Sequence, residues 1–176
     1  MASPAETLRQ ICRDLEVRHD LRRGFFGDLL KQTDWAFVIQ CHALIEAAVS
    51  DALTLHVANS KLRKHFDLLP MSETQIGKMA LAKSLGLVTN DQVRFVSMFS
   101  RLRNALAHRV GNVNFSLQDH LAALGSEMES WCTDVARAGP TKMREHLKAQ
   151  AARQPKTALW FATVLMLYHV LPVPES

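Results

Sequence analysis

Apolar residues recur every three or four positions along most of the chain, the spacing that places them on one face of an α-helix. No segment alternates apolar and polar residues cleanly enough to predict a strand. The segment from about Trp35 to Val57 is apolar on most sides, which predicts a buried central helix. A second apolar segment, Thr157–Leu171, has 15 residues. Because a membrane-spanning helix needs about 20 residues, we expect a core helix there and no membrane segment.

Capping residues and helix breakers divide the rest of the chain. A hydroxyl side chain followed three residues later by Glu, Gln or Asp is typical of a helix start, because the hydroxyl accepts from an otherwise unpaired backbone N–H. Thr33 or Asp34 is expected to cap the central helix. Four such pairs predict helices that begin at Ser3, Ser72, Thr89 and Ser116, the last three ending near Gly86, Val110 and Ala138. Shorter helical segments are predicted at Arg22–Lys31 and Ser60–Phe66, an extended segment at Asn112–Phe115, and a basic helix from Thr141.

The composition fits one globular domain. The chain has 176 residues, of which 48% are apolar and 22% charged, and only 7 are glycine. Gly139-Pro140 is the strongest break in the pattern. We therefore predict an all-α helical bundle at residues 1–138 and an additional C-terminal helical pair at 139–176, packed on the same domain. The three cysteines form no metal or redox motif, which favours a reducing cytoplasm. Trp131 lies in an apolar helical run, which favours a core position over base stacking.

Positive charge is concentrated around one predicted helix. The net charge is only +4, but no acidic residue occurs from Gln92 to Gln118. The arginines in this window are Arg94, Arg101, Arg103 and Arg109. Clustered arginines attract phosphate groups, although a solvated helix face gives the same pattern. We interpret Arg101 and Arg109 as the flanks of a phosphate-binding track.

One short motif in this window carries residues suited to phosphate chemistry, Arg103-Asn104-Ala105-Leu106-Ala107-His108. Asn104 and His108 share a helix face, whereas Arg103 and His108 are separated by about 140° around the helix. An imidazole can transfer protons near neutral pH, and a guanidinium can bind phosphate through two hydrogen bonds. Together they suit RNA cleavage without a metal. The spacing alone also fits a structural helix C-terminus, where cations are favourable.

The motif and its surroundings resemble the HEPN superfamily. The motif itself is similar to the Arg-polar-x-x-x-His signature of that family. Phe37–Ala48 resembles the long first core helix of the family, with Glu46 as its embedded glutamate. Lys78–Leu87 resembles the helix and Leu-Gly-Leu turn of the mannitol-operon-repressor-like branch, and Asn114–Ser116 resembles the link into the last core helix. The resemblance covers residues 34–138.

This resemblance implies a helical bundle that forms a homodimer, with the motifs of both chains meeting in a composite active site. Active members are metal-independent endoribonucleases, often toxins or defence effectors. It implies no cofactor, RNA as a partner, and an antitoxin or regulatory protein as a further partner. Catalysis would rest on Arg103 and His108, assisted by Asn104 and Glu46. Since other members have lost catalysis, a regulatory module, such as a transcriptional regulator or a protein-interaction domain, is the alternative.

Glu46 itself has two interpretations. It pairs with Arg103 or orients the motif histidine, as the resemblance implies, or it belongs to a polar stripe with Ser50, four residues further on. His42 and Glu46 are also four residues apart, as metal ligands on a helix can be, but no third ligand accompanies them. We therefore expect no metal site.

Overall fold

The computed structural model describes residues 4–108 and 110–171, and every regular element within them is helical, which confirms the predicted all-α class. The α-helices are α1 (Pro4–Arg18), α2 (Phe25–Leu29), α3 (Asp34–His56), α4 (Arg63–Leu68), α5 (Lys78–Ser84), α6 (Asn90–Ala107), α7 (Leu117–Ala123), α8 (Met128–Ala136), α9 (Arg144–Arg153) and α10 (Pro155–Val170). Short 3-10 helices lie at Ser60–Leu62, Val110–Asn114, Gly125–Glu127 and Thr141–Met143. Arg109 and the capping residue Ser3 lie outside the described residues.

The core is built around α3, as its apolar pattern predicts. This helix contacts α4, α5, α6 and α10. Its N-terminus is capped by Thr33, whose Oγ1 accepts from the Ala36 N–H at 3.3 Å. The neighbouring Asp34 instead accepts from the Leu117 N–H at 2.8 Å and so ties the start of α7 to the start of α3. The most deeply buried side chains of α3 are Phe37, Val38, Cys41, Ile45, Val49 and Leu53.

The C-terminal helices share this core. Helix α10 packs against α1, α3, α8 and α9, and its side chains Ala158, Leu159, Ala162, Val164 and Met166 have no exposed surface. A helix surrounded by neighbours in this way needs apolar residues on most of its faces. The apolar character of the Thr157–Leu171 segment is therefore explained by burial between helices.

Helix α3 is also long and apolar enough to cross a membrane, judged by length and composition only. However, 56% of its most apolar window is buried against the rest of the bundle. The core helix of a folded domain satisfies the same criterion, so this feature alone is weak evidence for a membrane span.

The predicted helices at Ser72 and Ser116 differ from the structure, and the backbone gives the reasons. Residues 72–77 form turns instead of the start of a helix, because Gly77 adopts an extended conformation and α5 begins after it. The helix predicted from Ser116 to Ala138 is divided into α7 and α8 by Gly125. The φ angle of Gly125 is 53°, a left-handed conformation that cannot continue a right-handed helix.

The start of α6 follows the prediction. The Thr89 Oγ1 accepts from the Gln92 backbone N–H at 3.3 Å, and the Gln92 side chain accepts from the Thr89 N–H at 2.8 Å. Both halves of the capping box are therefore present. From this start, Phe95 and Phe99 point into the core, where they have no exposed surface.

The end of α6 differs from the prediction. The helix ends at Ala107 instead of near Val110, and the next residues form a 3-10 helix instead of an extended segment. The Asn112 Nδ2 donates to the Ala105 and Leu106 carbonyl oxygens at 2.9 and 3.2 Å. The Trp35 Nε1 also donates to the Leu106 carbonyl, at 3.3 Å. These side chains supply the donors that the last turn of a helix lacks, so the chain turns away here.

Gly77 fixes the point at which α5 leaves the preceding loop. A Cβ at this position would lie 2.5 Å from the Glu73 carbonyl oxygen and 2.7 Å from the Glu73 backbone nitrogen. Its φ and ψ of −76° and 160° suit any residue, so space alone requires glycine here. The tight turn sends the next side chain, Lys78, into the interior, where it is 2% exposed.

We expect Gly77→Ala to lower the free energy of unfolding by about 2 kcal/mol, because the backbone of residue 73 has to move. Gly27→Ala is the matched control. Gly27 lies inside α2 with no atom within 4 Å of an added Cβ, so this change should raise stability by up to about 1 kcal/mol. Urea unfolding followed by circular dichroism measures both. Equal stabilities of the two variants would contradict the role assigned to the turn.

Candidate functional site

Glu46 connects three helices through its carboxylate. Its Oε1 accepts from the Lys78 Nζ on α5 at 2.9 Å, and its Oε2 accepts from the Arg103 Nη2 on α6 at 3.4 Å. The Lys78 side chain is 2% exposed and the Glu46 side chain 27%. The carboxylate therefore neutralises a buried ammonium on one side and holds an accessible guanidinium on the other. Glu46 is therefore paired with Arg103 in the structure, and its part in catalysis stays a prediction.

His42 lies one turn before Glu46 and completes the polar layer between α3 and α6. Its Nδ1 is 3.4 Å from the Arg103 Nε, which donates to it, and its Nε2 is 2.9 Å from the Ser100 Oγ. An Nδ1 that accepts requires the neutral ring with its proton on Nε2, which donates to Ser100. Burial, followed by the positive charge of Arg103, lowers the pKa of His42 to about 4. His42 is therefore a fixed neutral acceptor near neutral pH.

Asn104 lies beside the arginine, at the edge of a depression that also contains the motif histidine. The Arg103 Nη1 donates to the Asn104 Oδ1 at 3.0 Å. Asn104 in turn lines a shallow surface depression together with Ala105, His108 and Asn112. Asn104 is thus bonded to Arg103 and shares the depression with His108, without a hydrogen bond to the His108 ring. His108 is exposed at the C-cap of α6, and within the described residues its ring has no hydrogen-bonding partner.

The two flanking arginines are placed differently. Arg101 is exposed on α6 and lines a separate cavity with Phe115 and Trp131. Arg109 lies outside the described residues. Among the residues that are described, no group of three or more His, Cys, Asp or Glu side chains could hold a metal ion. The His42–Glu46 pair is occupied by cationic side chains, which leaves no ligand set for a divalent ion there.

Sequence reasoning missed four residues of this site: His42 as a hydrogen-bond acceptor, Lys78, Ser100 and Asn112. Their partners lie between 6 and 61 residues away along the chain. The one usable signal was the spacing of His42 and Glu46, four residues apart on an apolar helix. A polar pair inside such a helix predicts partners on a neighbouring helix, because buried polar groups are hydrogen-bonded.

Other nucleophiles near the core are unsuited to chemistry. Burial raises the pKa of the Cys12 thiol to about 11 and that of Cys41 to about 12. Reactive cysteines have a lowered pKa and partial exposure. Neither of these thiols is therefore a candidate nucleophile.

No protein-family model, curated protein or solved structure matches the chain.

Removal of the shared carboxylate should be costly unless the lysine that it binds is replaced at the same time. Glu46→Gln leaves the Lys78 ammonium buried without its counter-ion, and we expect a loss of about 3 kcal/mol in unfolding free energy. The double variant Glu46→Gln/Lys78→Met should recover most of this loss, because no buried charge remains. Glu129→Gln, which breaks the exposed pair with Lys148, is the control and should leave stability unchanged. If the double variant loses as much stability as Glu46→Gln and Lys78→Met lose together as single variants, this assignment is contradicted.

His42 should make the protein less stable in acid. Because its pKa is below the usual value in the folded state, the unfolded chain binds the proton more readily between pH 6.5 and pH 4. We expect the wild type to lose about 3 kcal/mol of unfolding free energy relative to His42→Gln as the pH falls from 7 to 4. Urea unfolding across this range measures the difference. Parallel curves for the two proteins would show that His42 titrates equally in both states.

Proposed function

We propose that the chain is an RNA-binding domain of the HEPN type that cleaves RNA without a metal ion, in a composite site between two copies. The observation that supports this most directly is the continuous arrangement of Arg103, Asn104 and His108 at the exposed end of α6. This arrangement places an anchored guanidinium and an accessible imidazole at the same end of the helix. The resemblance of the motif and of the Glu46 helix to that family agrees with this arrangement.

The hydrogen bonds of Arg103 leave the donors that a phosphate requires. A guanidinium has five N–H donors, and the contacts to His42, Asn104 and Glu46 use one on each nitrogen. One N–H therefore remains on each terminal nitrogen. The Arg103 side chain is 32% exposed, so these two donors can bind two oxygens of one phosphate.

The proposed reaction is a transesterification within the RNA strand. The ribose 2′-oxygen attacks the adjacent phosphorus, the bond to the 5′-oxygen breaks, and a 2′,3′-cyclic phosphate forms. His108 accepts the proton of the 2′-hydroxyl or donates one to the leaving 5′-oxygen. Arg103 stabilises the additional negative charge on the pentacoordinate phosphorus. One imidazole cannot lie on both sides of the phosphorus, so a second chain supplies the other His108.

A non-catalytic regulatory module is the second candidate. One observation favours it: within the described residues, no side chain orients the His108 ring. A general base in a complete site is normally held in one orientation by a hydrogen bond to its other nitrogen. In this alternative, the same cationic surface binds RNA or a regulatory or antitoxin-like protein, and no bond is broken.

The experiment that tests catalysis is cleavage of a structured RNA in excess EDTA. We expect the wild type to leave 2′,3′-cyclic phosphate ends and both Arg103→Ala and His108→Ala to lose at least about 100-fold in rate. Arg94→Ala is the matched control, since it removes the same charge from an exposed position nearer the start of the same helix. It should retain nearly full activity.

Three other outcomes would have distinct meanings. Equal activity of all variants would show that the cleavage comes from elsewhere. RNA binding that depends on Arg103 without any cleavage would favour the regulatory module. Neither binding nor cleavage at low salt would contradict the RNA function and would favour a regulatory module that binds a protein.

A further inference from the structure

A cavity of about 340 Å³ lies between α6, α7 and α8, next to the candidate site. Its wall includes the rings of Phe115, His120 and Trp131 and the charged side chains of Arg101, Glu127 and Asp134. Cavities that hold small ligands are mostly apolar with a few polar groups. The wall of this cavity is likewise mostly apolar, with a few polar side chains.

Three rings form a row in the wall of the cavity. The ring centroids of Phe115 and His120 are 5.7 Å apart, and those of His120 and Trp131 are 6.2 Å apart with nearly perpendicular planes. Burial lowers the pKa of His120, which favours its neutral form. Such a row offers flat apolar surface for another ring, in stacked or edge-to-face contact.

Trp131 differs from the other two tryptophans. Its side chain is 7% exposed, and its Nε1 has no hydrogen-bond partner among the described residues. The Trp35 Nε1 donates to the Leu106 carbonyl and the Trp160 Nε1 to the Phe26 carbonyl. Because a buried indole N–H is normally hydrogen-bonded, the unpaired donor of Trp131 points to a ligand that carries an acceptor.

The cavity and the motif are adjacent on α6. Ala105 lines both the cavity and the depression that contains Asn104 and His108. Arg101 is exposed at the cavity wall and, within the described residues, forms no ion pair with Glu127 or Asp134, the two carboxylates of that wall. An RNA strand whose phosphate binds at the motif would therefore pass the unpaired Arg101 guanidinium, and its adjoining bases would lie above the cavity.

We propose that this cavity binds one unstacked nucleobase of a single-stranded RNA whose phosphate contacts the α6 motif. The choice of RNA rests on the function proposed above. The base packs against the rings of Phe115, His120 and Trp131, and one of its carbonyl oxygens or ring nitrogens accepts from the Trp131 Nε1. Because that nitrogen is shielded from solvent, the side chains around it move when the base enters. Bases extruded from a strand are commonly held among aromatic side chains in this way.

The indole N–H groups themselves provide the test. In the full chain labelled with ¹⁵N-tryptophan, three indole signals are assigned with the variants Trp35→Phe, Trp131→Phe and Trp160→Phe. The probe is a short unstructured oligoribonucleotide with 2′-O-methyl groups, which cannot be cleaved because it has no free 2′-hydroxyl. We expect the Trp131 signal to move on binding and the signals of Trp35 and Trp160, whose donors are already paired, to stay in place.

Binding affinities provide the second measurement. Trp131→Phe keeps a ring but removes the donor, and it should weaken binding of this oligoribonucleotide by about tenfold. Trp160→Phe is the control and should not change it. An abasic oligonucleotide of the same length retains the phosphates, so its affinity should be the same for the wild type and Trp131→Phe. The spectra that decide the test are those of the wild type, and the variants are needed only to assign its three indole signals.

The outcomes separate this inference from the proposed function. If the RNA binds through Arg103 while the Trp131 signal stays in place, the cavity is not a base site and the RNA-binding function stands. If nucleoside monophosphates move the Trp131 signal but no oligoribonucleotide binds, the cavity binds nucleobases and the proposed RNA function fails. If neither probe moves the signal, the base site is excluded.

Discussion

The contact of the Glu46 carboxylate with Lys78 and Arg103 is the interaction on which both the bundle and its candidate site depend. A buried ammonium is tolerable only beside its counter-ion, so the position of α5 against α3 depends on Glu46. The same carboxylate turns the Arg103 guanidinium toward α3 and leaves its remaining donors at the surface. Stability and site geometry are therefore linked through one side chain.

The polar layer behind the motif also sets the alignment of α3 and α6. Apolar side chains tolerate small shifts between packed helices, because one hydrophobic contact replaces another. The hydrogen bond that His42 makes with Ser100 and the one that it accepts from Arg103 have no such substitutes. A shift of α6 by one turn would bury unpaired polar groups, which is costly in a low-dielectric interior. The layer thus selects one alignment from several that the apolar residues alone would allow.

The sequence predicted correctly those elements that interactions between neighbouring residues determine. The apolar pattern of α3 and the Thr89–Gln92 capping box place two helices correctly, because their causes lie within a few residues. The division of the helix at Gly125 depends on a left-handed glycine conformation, which composition does not specify. The burial of Lys78 depends on a partner 32 residues away. The spacing of His42 and Glu46 indicates that polar partners exist, but the identity of those partners, Lys78 and Ser100 among them, is a tertiary contact that only the structure shows.

The capped end of α6 has an electrostatic consequence for any anion that approaches His108. The carbonyl oxygens at a helix C-terminus carry partial negative charge, equivalent to about half an electron, which repels phosphate. Here the Asn112 amide and the Trp35 indole point their N–H groups at two of those oxygens. The positive ends of these N–H dipoles offset the repulsion at the place where the imidazole is exposed. A helix terminus that would ordinarily exclude a phosphate is thereby made compatible with one.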